Sequence, residues 1–152
     1  MDFLTALHVS ASGLSAQRTR VNLATSNLAN AESTRGPDGQ PYKRLDPVFE
    51  AVALHPAMAG AGLEVPAMPG RASANDAIGV RVTEVKADET PGRRVYNPDH
   101  PDADATGYVT LPNVNPIHEV VNLMSASRGY DANATALETL KTMAQRAIDI
   151  SR

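Results

Sequence analysis

Apolar residues recur at helical spacing near both ends of the chain and at strand spacing only between them. Near the N-terminus Leu7, Leu14, Val21 and Leu28 fall every seven residues, with Leu4 and Ala11 at the intermediate positions until Arg18 and Thr25 interrupt the seam. Near the C-terminus Ile117, Val120, Met124, Ser127, Tyr130, Ala134, Leu137, Leu140, Ala144 and Ala147 advance in steps of three and four. Either pattern lays one stripe along an α-helix, and the seven-residue repeat is that of a coiled-coil-like seam. Helix breakers mark the limits: all 11 prolines and 8 of the 10 glycines lie from Gly36 to Pro116, so helices are expected at the ends and not in the middle. The first is expected from a cap at Asp2 to about Asn30. The second is expected from Pro116 almost to Arg152, with Asn115 as N-cap, proline at the first helical position and Glu119 near the positive end of the helix dipole.

The middle alternates. Ile78, Val80 and Val82 are interleaved with Gly79, Arg81 and Thr83 until Glu84, and Gly107 to Leu111 forms a second alternating run stopped by Pro112; Val48, Val52 and Leu54 make a weaker third strand after Pro47. Between these, residues 55–77 hold 13 Ala, Gly or Pro among 23, too little bulk for a core, and predict a loose loop. The expected fold is α+β: long N- and C-terminal helices paired as a coiled-coil-like stem, with a small β-rich, loop-rich inserted domain. The boundaries are expected at 1–34, 35–113 and 114–152.

Composition says how much of this the chain can stabilise alone. Leu, Ile, Val and Phe make 31 of 152 residues while alanine alone makes 24, a thin supply of large apolar groups against the entropy of ordering. Partners are therefore expected to complete the fold. The uncharged run from Val21 to Ala31, and Gly129 to Leu137 with only Asp131, suit helices with neighbours rather than water on several sides. An intramolecular antiparallel pair and packing between subunits both fit. Asn22, Ser26 and Asn30, four residues apart, would set register in a buried seam or, at the helix end, act as turn and cap residues.

Charge and motifs exclude several functions. Fourteen Lys and Arg against 17 Asp and Glu give a net charge of −3, without the basic footprint of nucleic-acid binding. No run of about 18 apolar residues predicts a membrane span, the opening Met1-Asp2-Phe3-Leu4-Thr5 lacks the basic start of a cleavable signal, and without cysteine no thiolate site exists. Asp102, Asp104, Thr106 and Gly107 match the first half of an EF-hand loop, but Asn113 stands where its bidentate glutamate belongs; His100 lies between Asp99 and Asp102 without metal-ligand spacing. A turn with solvated acids is expected there. No phosphate loop, nucleophile elbow or carboxylate pair is legible, so no enzyme activity, cofactor or metal is expected.

Ala11-Ser12-Gly13-Leu14, Gln17-Arg18, Asn27-Leu28-Ala29-Asn30 and Thr34 resemble the N-terminal signature of bacterial flagellar rod and hook proteins, and Tyr42-Lys43-Arg44 is similar to the segment that follows it. Tyr96-Asn97-Pro98, His100-Pro101, Gly107-Tyr108-Val109, Pro112-Asn113-Val114-Asn115, Glu119-Val120-Val121, Ser127-Arg128 and Tyr130-Asp131-Ala132-Asn133 are similar to the proximal-rod members of that family. Gly129, Asp131 and Ile148 depart from its usual alanine, glutamate and leucine. The resemblance implies a structural rod subunit, exported without a cleaved signal peptide through the flagellar type III apparatus into the periplasmic rod that transmits torque to hook and filament. It implies as neighbours other copies of the chain and FliE, FlgB, FlgF and FlgG. The assembly surface is expected to include Leu7, Leu14, Val21, Asn27, Leu28, Asn30, Val120, Met124, Tyr130, Asn133, Leu137 and Leu140. A different axial subunit and a helical adaptor unrelated to flagella are the alternatives.

Overall fold

The computed structural model describes residues 3–36, 38–54, 65–66 and 77–150. A first helix, α1 (Phe3–Ala29), and a last one, α2 (Pro116–Ile150), enclose β1 (Leu45–Leu54), β2 (Val65–Pro66), β3 (Ala77–Ala87), β4 (Arg93–Tyr96) and β5 (Tyr108–Leu111). The α+β class read from the pattern is the observed one. The two helices are 27 and 35 residues long, and their ends follow from local chemistry. At the start of α2 the Asn115 carboxamide oxygen accepts the N–H groups of Ile117 (3.0 Å) and His118 (3.3 Å), filling donors that no preceding turn can satisfy. At the end of α1 the Asn30 side chain donates to the Ser26 carbonyl at 2.9 Å, and Ser33 Oγ donates to Asn30 Oδ1 at 3.2 Å. Asn30 is thus occupied in closing its own helix. The proposed cap at Asp2 lies outside the described residues.

One sheet has the order β2-β1-β3, with Val52 opposite Pro66 and Ala53 opposite Val65; the other is the antiparallel pair β4 and β5, from Arg93 opposite Leu111 to Tyr96 opposite Tyr108. Strand β1 begins two residues before Pro47, and β3 runs past Glu84 to Ala87. Strand β4 was not legible because Arg93-Arg94-Val95-Tyr96 is exposed throughout and has no alternation. Its hairpin needs glycine at two places. Gly107 has φ +79°, and a Cβ on Gly92 would collide with the Leu111 carbonyl. Of the Ala, Gly and Pro run at 55–77, the described part is Val65–Pro66 in β2 and Ala77, buried at the start of β3; the rest lies outside the described residues.

The chain divides into two units, one of residues 1–19, 48–84 and 126–152, the other of residues 20–47 and 85–125. In the first, the buried positions are mostly small: Ala16, Ala53, Ala77 and Ala126, with Val52 and Thr5. Ser12 joins helix to strand there, its Oγ accepting from Val80 N at 3.1 Å and donating to the Val9 carbonyl at 2.7 Å. In the second, Ala24, Ala31 and Val109 are buried beside two polar side chains, Asn27 and Glu119, each 1% exposed.

Candidate functional site

Three stretches remote in sequence meet in the second unit: the last turns of α1, the entry to β1 and the first turn of α2. Asn27 is their junction. Its carboxamide nitrogen donates to the Leu45 carbonyl (2.9 Å) and to Glu119 Oε2 (3.2 Å), while its oxygen accepts Leu45 N–H (2.9 Å) and the Tyr42 hydroxyl (2.9 Å). Both amide protons and both lone pairs are used, which is what makes a fully buried Asn tolerable. Toward Leu45 the side chain behaves as a neighbouring strand would, offering one donor and one acceptor to a single residue.

Glu119 carries the charge of the cluster. Its Oε1 accepts Arg44 Nε at 2.6 Å, and Asp46 takes another nitrogen of the same guanidinium. Burial alone would lower the pKa of Arg44, but the bonds to Glu119 and then Asp46 outweigh it and raise the value. Glu119 also stands in the first turn of α2. Asn113 closes the far side: its oxygen accepts Arg44 N–H at 3.0 Å and its amide donates to the Asp88 carbonyl at 3.4 Å, while Asp88 N–H bonds the Arg44 carbonyl at 2.8 Å. A largely buried ion pair braced by further hydrogen bonds on both partners gives fixed geometry. A cleft of about 150 Å³ beside it is lined by Arg20, Asn27, Arg44, His118, Glu119 and Asn122.

The acidic turn is likewise occupied by its own chain. Asp104 accepts Thr106 Oγ1 (2.6 Å), Thr106 N–H (2.8 Å), Tyr108 N–H (3.0 Å) and Arg94 Nη2 (2.7 Å), and these bonds, that of the Thr106 hydroxyl foremost, lower its pKa to about 2. Asp102 accepts the Thr34 hydroxyl at 2.8 Å, and His100 Nδ1 accepts Asp102 N–H at 3.1 Å. Among the described residues no three His, Cys, Asp or Glu are grouped as metal ligands.

Of the residues expected on the assembly surface, Leu7, Leu14, Val21, Leu28, Asn30, Asn133, Leu137 and Leu140 are half-buried and Asn27 is buried. Val120, Met124 and Tyr130 are exposed in the single subunit, as are Ile117 and Val121. Asn22 is also exposed, so the Asn22, Ser26, Asn30 series makes no buried ladder within the chain. Sequence reasoning missed Tyr42, Arg44, Asn113 and Glu119 as one site, although each stands in a motif carrying the family resemblance. It also missed Ala126, the most deeply buried residue of α2 at 0% exposure.

Comparison with known proteins matches residues 7–37 to the family described as flagella basal body rod protein, and residues 105–150 to the family described as flagellar basal body rod FlgEFG protein C-terminal. The flagellar basal-body rod protein FlgC of Salmonella typhimurium is 41% identical over 152 residues, covering the whole of both chains. The chain belongs to the FlgC family of flagellar basal-body rod proteins. FlgC of Bacillus subtilis is 38% identical over 96% of each chain, and that of Borreliella burgdorferi 37% identical over 99% of this chain and 98% of its own. The protein is therefore a structural subunit of the flagellar basal-body rod. Both family-matched segments feed the buried cluster, the first through Asn27 and the second through Asn113 and Glu119. These residues fasten helix ends to the inserted strands.

Proposed function

We propose that this rod subunit assembles through an apolar stripe on α2, with copies of itself and the neighbouring rod proteins FliE, FlgB, FlgF and FlgG as partners. The observation that carries this reading is the exposure of Ile117 (79%), Val120 (41%), Val121 (59%) and Met124 (51%), spaced i, i+3, i+4 and i+7 on one helix. A side chain of this kind gains about 1.5–3 kcal/mol when moved from water into an apolar contact, so the stripe stabilises assembly strongly once covered. The Glu119, Arg44 and Asn27 cluster supports it by holding the first turn of that helix. The half-buried Leu7, Leu14, Val21 and Leu28 of α1, and Tyr130, Asn133, Leu137 and Leu140 of α2, extend the packing surface.

In this reading the subunit carries no catalysis and binds no cofactor or nucleic acid. It reaches the periplasm through the flagellar type III export apparatus without cleavage and passes torque along the rod. No described helix is long and apolar enough to cross a membrane. The test is complementation of a strain lacking the gene with Val121→Asp and, separately, Leu14→Asp, scoring export, swimming and basal-body morphology. Exported protein without complete rods is the expected result. Normal swimming with exported Val121→Asp would place the assembly surface elsewhere.

A further inference from the structure

Within the first unit, α1 and α2 meet at two glycines, each facing a carboxamide of the other helix. A Cβ placed on Gly13 would lie 3.0 Å from both Asn133 Nδ2 and Asn133 Oδ1, and one on Gly129 would lie 3.0 Å from Gln17 Cδ and 3.2 Å from its Nε2. Gly13 and Gln17 are four residues apart on α1, as are Gly129 and Asn133 on α2, and the order reverses between the helices. Gly13 meets Asn133 while Gln17 meets Gly129. The Asn133 amide is itself tied to the Gly129 carbonyl at 2.8 Å, so it cannot swing aside when a methyl group arrives at Gly13. Gln17 Oε1, by contrast, is buried with no hydrogen-bond partner. An apolar side chain of the same length would avoid that cost, so the amide is not explained by stability.

We propose that Gly13, Gln17, Gly129 and Asn133 form a register lock, two amides seated over two opposing glycines, that selects one axial alignment of α1 against α2. The apolar stripes on these helices repeat every three or four residues and tolerate a shift by one turn; the interlock does not. A shifted Gln17 or Asn133 would face a residue bearing a side chain instead of a glycine. The four are positioning residues: their role is to decide which α1 residues stand beside which α2 residues within the first unit.

The chain has no cysteine, so spin labels can be placed singly on the full-length protein through Ser15→Cys and Met143→Cys, both exposed positions. The observed pairing sets Ser15 opposite Asp131, so the label sites are offset by about 18 Å along the helix axis, and a one-turn slip changes that offset by about 5 Å. Pulsed dipolar spectroscopy on labelled protein diluted with unlabelled protein reads the distance, and thermal unfolding followed by circular dichroism reads stability. One narrow distance is expected for the parent chain. Gln17→Met, of the same length, should keep it while leaving Tm unchanged or raised, whereas Gln17→Ala, which removes the group seated over Gly129, should broaden or split it. Gly129→Ala should lower Tm, and adding Gln17→Ala should restore Tm without restoring the single distance, separating a steric clash from alignment. A broad distribution in the parent chain, or the parent's single distance kept by Gln17→Ala or by the double variant, would overturn the proposal.

Discussion

Replacing Glu119 with alanine is the sharpest perturbation of the buried cluster. The change removes the acceptor of Arg44 Nε and one of the two acceptors of the Asn27 amide, both in the interior. Removing one partner of a buried ion pair costs about 3–5 kcal/mol, because the other charge stays desolvated. Arg44 keeps Asp46, and its side chain is 16% exposed, so its share belongs at the lower end of that range, about 3 kcal/mol. The stranded Asn27 proton adds about 1–2 kcal/mol, and the lost carboxylate at the helix start about 0.5 kcal/mol. The total of about 5 kcal/mol is comparable to the whole stability of a marginal domain. Glu119→Gln has a single carbonyl oxygen, so it can keep the acceptor for Asn27 but loses both the charge and the acceptor of Arg44 Nε, and it should spare only the Asn27 share of about 1–2 kcal/mol. Urea unfolding followed by circular dichroism measures both, with exposed Glu138→Ala as control. A Glu119→Ala loss below about 1 kcal/mol, or one no larger than the control's, would refute the claim that this ion pair organises the second unit.

Other consequences are as direct. Gly92→Ala forces its methyl group onto the Leu111 carbonyl and should undo the β4 and β5 pairing, at a cost of about 2–3 kcal/mol in urea unfolding and with loss of amide-exchange protection at Val109; retained protection would contradict the collision. Asp104, whose pKa is lowered to about 2, stabilises its turn fully above the unfolded carboxyl value near pH 4. That contribution should disappear as pH falls from about 4 to about 2, read from the amide shifts of Thr106 and Tyr108, and shifts constant over that window would show the bonds absent in solution. Calorimetric titration with calcium and with zinc should give no specific heat, because Asp102 and Asp104 already accept bonds from their own chain; a one-site isotherm abolished by Asp102→Ala would restore the metal reading.

What could be read from the sequence was what depends on period and punctuation. Seven-residue spacing and the clustering of proline fixed both helices to within a residue or two, and Asn115-Pro116 marked the start of α2 because capping is a local event. Strand β4 escaped because it is stabilised by one partner strand and by an Arg94 guanidinium stacked 4.9 Å above the Tyr108 ring, with no buried face to impose alternation. The buried cluster escaped for another reason. Asn27 and Glu119 are 92 residues apart, and nothing within a few residues of either distinguishes a buried amide or carboxylate from a cap and a dipole partner. The motif resemblance pointed at the right residues without saying that they touch.

The way Asn27 holds Leu45 bears on how a polymer-forming protein avoids the wrong polymer. Backbone groups along a strand face alternate sides, and Arg44 turns toward β3, where its carbonyl receives Asp88. Leu45 turns the other way, onto the flank that β2, among the described residues, pairs only at Val52 and Ala53. An unpaired donor and acceptor there would be a template for a strand from a second molecule, the route by which concentrated β proteins aggregate. The Asn27 carboxamide fills that template from within the chain. A subunit that builds a rod can then leave its helices free for ordered growth while this strand edge stays closed to disordered growth.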